Sequence, residues 1–154
     1  MDVRLLASFR GARVEEAEQP HVGILIWDGQ RLLIRVRASD SEERRRFTVC
    51  HEICHTFFPG FRESPRTRTD RDVERFDPRD PEEYLCDHGA AELLLPRPWL
   101  LPSVPKDFTL DDVIEIAARS RASIEAAAQR CVDLSTRPVA VVMLERAGAT
   151  GAPT

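Results

Sequence analysis

The 154-residue chain reads as an α+β protein, a small antiparallel or mixed sheet packed on a helical core. Three observations predict this. Residues 22–27 and 31–37 are rich in Val, Ile and Leu and flank Asp28-Gly29, a hairpin signal. Residues 46–58 repeat apolar side chains at helical spacing and enclose His51-Glu52-x-x-His55. Residues 80–96 form a second helical stretch, with Asp80 placed to cap it and Pro81 in its first turn.

In chain order, residues 2–9 suit a short helix ending near Gly11, and residues 12–17 a charged strand. The run 22–27 is a firmer strand. In 31–37, Leu32, Ile34 and Val36 alternate with Leu33, Arg35 and Arg37, so this strand is expected to be half buried and near an edge. An edge there would hold an extended peptide by strand addition; the arginines would equally serve to solvate an outer face. Asp40 or Ser41 caps the next helix, with Glu42 and Glu43 suiting its dipole. That helix runs to Phe58, where Pro59-Gly60 stops it.

On a helical wheel Phe47, Val49, Cys50, Ile53, Cys54, Phe57 and Phe58 make one broad apolar face. Thr48, His51, Glu52 and His55 make a separate polar stripe. Histidines four apart stack on one face, so both imidazoles reach one ion while Glu52 stands beside them. This is a zinc-protease arrangement: two nitrogens hold the metal and the glutamate takes a proton from water. The bland alternative is a half-buried helix whose histidines hydrogen-bond elsewhere.

A catalytic zinc needs a third protein ligand. Glu83 and Asp87, four apart, share a face of the 80–96 helix, which Ala90 and Leu94 continue. Glu83 would complete the ligand set, and Asp87 would orient a ligand imidazole from behind. Glu83 also stands where a capping box would use it, three after Asp80, and Glu82 is the alternative carboxylate. Gly89, Ala90 and Ala91 permit a close approach between helices. His88 points away from the Glu83 face and suits a solvent-facing or structural role; His21 carries no signal.

The polar run 62–72 reads as a surface loop, mobile for the most part. A proline-rich connector follows Pro96. Thr109 caps a helix through Arg119 with Val113, Ile114 and Ala117 inward. Ser123 caps another to about Leu134 with Ile124, Ala127, Ala128 and Cys131 inward. A helix-turn-helix pair would bind DNA, but Arg130 is the lone basic side chain on the second helix, so phosphate contacts would be sparse and packing is the expected role. Residues 138–144 suit a last buried strand or docking segment. One domain over 1–146, with a disordered tail over 147–154, accounts for the whole.

Composition bounds the remainder. At 42% hydrophobic the chain can build a core without disulfides. A net charge of −4 gives no general affinity for nucleic acid. There is no long apolar run for a membrane span and no signal-peptide pattern at the start, so a cytoplasmic protein is expected. Cys50, Cys54, Cys86 and Cys131 lack zinc-ribbon spacing and fall on apolar faces, as small core residues do. A redox role for Cys50 or Cys54, each beside a histidine of the motif, is the lesser reading.

The two signatures together, Arg45 to His55 and then Glu83-x-x-Cys86-Asp87-x-Gly89-Ala90-Ala91-Glu92-Leu93-Leu94-Leu95-Pro96, resemble the ImmA/IrrE family of metallo-endopeptidases. The resemblance is firm over residues 44–99. It implies a zincin-like helical core, one catalytic Zn2+ held by His51, His55 and Glu83, and Glu52 as catalytic base. It also implies the substrate, a helix-turn-helix repressor of phage, mobile-element or stress-response genes, supplied as a separate protein because this chain is too short to add a DNA-binding domain. Tyr84 and several arginines are candidate donors to the oxyanion. Three positions depart from the family pattern: Cys54 where glycine is frequent, Gly89 where phenylalanine is usual, and Cys86 where alanine is common. The alternatives are a zinc-containing, non-catalytic partner of a regulator, as in a toxin–antitoxin pair, and a zinc hydrolase of small amides.

Overall fold

The computed structural model describes residues 1–63, 65–69 and 80–144. The tail expected over 147–154 lies outside them, as do residues 64 and 70–72 of the polar run. Helix α1 (Val3–Phe9) is started by Asp2, whose Oδ1 accepts from the backbone N–H of Arg4 and Leu5. Strands β1 (Ala12–Ala17), β2 (Gly23–Trp27) and β3 (Leu32–Arg37) follow, then helix α2 (Glu42–His55) and a short strand β4 (Arg66–Arg68). Beyond residue 80 come α3 (Pro81–Leu94), α4 (Arg97–Leu100), a 3-10 turn, α5 (Leu110–Ser120) and α6 (Ile124–Leu134).

The sheet is mixed, in the order β1-β3-β2-β4. β1 runs parallel to β3, while β2 is antiparallel to both β3 and β4. In place of the edge position expected for residues 31–37, β3 is an interior strand. Its second side is taken by β1, in the register Ala12↔Leu32 to Ala17↔Arg37. The arginines that suggest an edge meet acids instead: Arg35 pairs with Glu15 and Arg37 with Asp40. Leu32, Ile34 and Val36 are buried as the alternation requires. Strand addition at β3 is thereby ruled out; among the described residues the edges are β1 and β4.

The hairpin turn sits one residue later than Asp28-Gly29 suggests. Asp28 N–H donates to the Arg31 carbonyl at 3.2 Å, so Gly29 and Gln30 are the central pair. Gly29 has φ +93°, a conformation that costs glycine nothing. The Asp28 side chain accepts from the N–H groups of Gln30 and Arg31 and closes the turn.

Ser41, not Asp40, caps α2, accepting from Arg44 N–H at 3.2 Å. The helix ends at His55, three residues before the expected Phe58, because the chain tightens into i→i−3 bonds from Thr56, Phe57 and Phe58 ahead of Pro59. This turn carries Phe57 off the apolar face: it is 65% exposed, with the Arg10 guanidinium 4.3 Å from its ring centroid. The polar stripe faces inward too. From Thr48 to His55 every residue of α2 is buried, since the sheet covers one side and α3 the other.

Two further expectations shift around their helices. Ile114 is exposed and Ile116 takes its inward place, joining Val113 and Ala117 at helical spacing. Ile124 is likewise exposed, whereas Ala127, Ala128, Cys131 and Leu134 are buried. Both helices contribute to the same buried cluster as the sheet and α2, which gives the pair a packing role. Residues 138–144 form neither a strand nor a buried segment; Leu144 is 89% exposed. Residues 66–68, whose polarity suggests a loop, are β4, paired with β2 in the register Gly23↔Arg68 to Leu25↔Arg66.

A buried arginine ties distant parts of the chain to α2. Arg46 donates to the carbonyls of Met1, Ser120 and Arg121 at 3.1, 3.3 and 3.1 Å. It thereby satisfies orphan carbonyls at the C-terminal end of α5, where a cation also suits the helix dipole. No helix among the described residues is long and apolar enough to cross a membrane.

Candidate metal centre

The site lies between α2 and α3. Asp80 starts α3 by accepting from the N–H groups of Glu82 and Glu83, and Pro81 occupies the first turn. The cap therefore comes from Asp80 alone and leaves the Glu83 side chain to turn toward α2. Glu83 Oε2 lies 3.1 Å from His51 Nε2, and Glu83 Oε1 lies 3.3 Å from His55 Nε2. The two Nε2 atoms are 3.1 Å apart.

The opposite nitrogen of each ring has its own carboxylate. His51 Nδ1 is 2.9 Å from Asp87 Oδ1, and His55 Nδ1 is 3.0 Å from Glu82 Oε1. With each Nδ1–H donating to its acid, both Nε2 atoms present lone pairs toward each other and toward the Glu83 carboxylate. Electron-rich atoms thus converge on one point, an arrangement that a proton or a cation relieves. A tetrahedral ion about 2.0–2.1 Å from each of three N or O ligands holds them about 3.3 Å apart. The observed triangle fits that spacing.

Cys86 enters the same cluster. His51, His55 and Cys86 each place a possible ligand atom within 4.8 Å of the others, so this buried group could hold a metal ion. The Cys86 Sγ lies 3.4 Å from His55 Nδ1, on the Glu82 side of the ring and away from Nε2. In the sequence Cys86 reads as a core residue; the signal for a place at the site is its position three after Glu83, on the same helical face. All four cysteines are buried free thiols. Burial pushes Cys50 up to about 12 and Cys54 up to about 11, and it raises Cys86 as well.

Glu52 is fully buried, and neither carboxylate oxygen has a hydrogen-bond partner among the described residues. Burial raises its pKa, against the opposing pull of His51, His55 and Arg68. It fits because β2 offers no side chain at that point. A Cβ on Gly23 would lie 2.6 Å from Glu52 Oε1 and closer still to Thr48 Cγ2. For His55, burial lowers the pKa, but hydrogen bonding to Glu83 and the charge of Glu52 outweigh it and the net shift is upward. For Glu83, burial raises the pKa and the two histidines overcome it, holding the carboxyl well below its ordinary range. For Asp87, burial likewise raises the pKa, and His51 and Arg68 overcome it to leave a net lowering.

Gly89 explains how α3 comes so close. A Cβ there would meet Cys54 Sγ at 2.5 Å. Cys54 and Gly89 thus complement each other across the interface, the larger side chain on α2 and none on α3. Tyr84 stacks edge-to-face on His88, ring centroids 4.4 Å apart, and both are exposed. Arg68, which donates to Asp87 at 2.8 Å, falls in a run that reads as surface loop; the Arg66-Thr67-Arg68 alternation is its faint strand signal.

A peptidase family model described as the IrrE N-terminal-like domain matches residues 11–132. No curated protein matches the chain.

Proposed function

We propose that this chain, which belongs to the IrrE N-terminal-like family of peptidases, is a zinc-dependent endopeptidase that cleaves a helix-turn-helix repressor. The observation that carries the reading is the convergence of His51 Nε2, His55 Nε2 and Glu83 within 3.1–3.3 Å beside the Glu52 carboxylate, which has no hydrogen-bond partner among the described residues. His51, His55 and Glu83 would hold the ion, leaving a position open for water or substrate. Cys86 stands on the far nitrogen of His55 and is the less suited third donor.

Zn2+ in that place supplies Lewis acidity, which acidifies water and polarises a carbonyl. The chain's own groups do the rest. Asp87 and Glu82 hold both imidazoles in the tautomer that presents Nε2. Glu52 as the carboxylate accepts the proton of the attacking water, then returns it to the departing amine nitrogen as the C–N bond breaks. Its upward pKa shift brings it nearer the working pH, where a group can both take and give a proton. Among the described residues β4 is an edge strand; it reaches the site through Arg68 and suits an extended peptide. The repressor as substrate rests on the ImmA/IrrE resemblance, and a cytoplasmic setting on the sequence of the first residues.

Glu52→Gln tests the reading. The variant should bind zinc like the parent and lose cleavage of a co-incubated regulator by at least about 100-fold. If parent and variant behave alike in every assay, with the regulator bound and uncut, the protein is a non-catalytic zinc-containing partner.

A further inference from the structure

Arg68 is only 7% exposed, although it stands on β4, an edge strand among the described residues. It lies opposite Gly23 in the antiparallel β4–β2 pair, and residues directly opposite in such a pair project from the same face. That face is the one Gly23 leaves bare for Glu52. The Arg68 side chain reaches α3, where Nη2 donates to Asp87 Oδ1 at 2.8 Å. The same Oδ1 accepts from His51 Nδ1 at 2.9 Å. Nε and Nη1 of Arg68 are buried without hydrogen-bond partners among the described residues, as are both oxygens of Glu52.

We infer that Arg68 is a positioning residue of the metal centre, acting through Asp87 to fix the ring of His51; this rests on the metal-binding reading above. Asp87 sits on a partly exposed part of α3, its side chain 32% accessible. Bound to His51 alone, its carboxylate would be able to turn toward solvent. Arg68 holds the shared oxygen from the sheet side, so the His51 Nδ1–H keeps one acceptor direction and Nε2 keeps its aim at the ion. The sheet and α3 are thereby joined at the atom that orients a ligand.

A merely structural latch would alter the stability of the metal-free fold and leave zinc affinity unchanged, and this separates the two roles. Zinc affinity is measured by competition with a chromophoric chelator for the parent, Arg68→Met, Arg68→Lys, Asp87→Asn and the Arg68→Met/Asp87→Asn double variant. Circular dichroism of each metal-free protein reports its fold. Arg68→Met should weaken zinc binding about 10- to 100-fold, the usual effect of losing an outer partner of a ligand. Arg68→Lys should recover most of that loss, and Arg68→Met should add little in the Asp87→Asn background. A folded Arg68→Met protein that binds zinc as the parent does overturns the inference while leaving the metal reading intact. A parent that binds no zinc overturns both. Should Arg68→Met not fold, Arg68→Lys is compared in the parent and Asp87→Asn backgrounds; a weakening of the same size in both overturns the role assigned to Asp87.

Discussion

Gly89→Ala probes the α2–α3 interface with an outcome whose sign depends on one atom. A methyl at position 89 would lie 2.5 Å from Cys54 Sγ and 3.5 Å from Cys54 Cβ. Ordinary contacts are about 3.5–4.0 Å, so the sulfur must move by about 1 Å or the helices must part. Overpacking of this kind costs about 1–3 kcal/mol. Against it, alanine is favoured over glycine inside a helix by about 1 kcal/mol. The net in the parent is a loss of about 0–2 kcal/mol. In a Cys54→Ala background the sulfur is gone, the remaining contact is ordinary, and the same substitution should stabilise by up to about 1 kcal/mol. Urea unfolding of the four proteins with chelator present keeps metal binding out of the comparison. An identical effect of Gly89→Ala in both backgrounds would refute the close approach and the complementarity drawn from it.

Two other outcomes follow from the site. Gly23→Ala should cost about 1–3 kcal/mol in thermal unfolding, because its Cβ collides with Thr48 and Glu52; by displacing Glu52 it should also cut cleavage about 100-fold, so an active variant of normal stability would contradict the packing. In the metal-free protein, stability should fall as pH rises. Glu52 has a folded pKa above its ordinary 4.5, so its penalty is absent below that value and grows until the raised one is passed. His55 has a folded pKa above its ordinary 6.5, so its contribution is complete below 6.5 and lost as pH climbs through the raised value. Glu83 and Asp87 are lowered and act at the acid end, below their ordinary 4.5 and 3.8. Thermal melts with chelator from about pH 5 to 9 check the direction, and melting points that rise across that range would contradict it.

Features that depend on local spacing were legible in the sequence. The i, i+4 histidines lie side by side, Glu83 and Asp87 both face His51, and Asp80, Thr109 and Ser123 each cap a helix. All of these are properties of short windows. What stayed hidden depends on pairing between distant segments. Nothing local tells β3 that β1 will cover its second side, so its alternation of apolar residues with arginines looks like an edge strand. β4 is three residues long and polar, and its strand character comes from β2 alone. The shift from Ile114 to Ile116 arises because the wheel fixes which residues share a face, while tertiary packing chooses the face.

The Arg46 clasp bears on the order in which the protein is made. A nascent chain released as far as Leu94 already contains His51, His55, Glu83 and Glu52, yet two of the three carbonyls that receive the Arg46 guanidinium, at Ser120 and Arg121, have still to be synthesised. Until they arrive, Arg46 has the Met1 carbonyl alone of the three, so the end of α5 completes the seating of a helix made long before it.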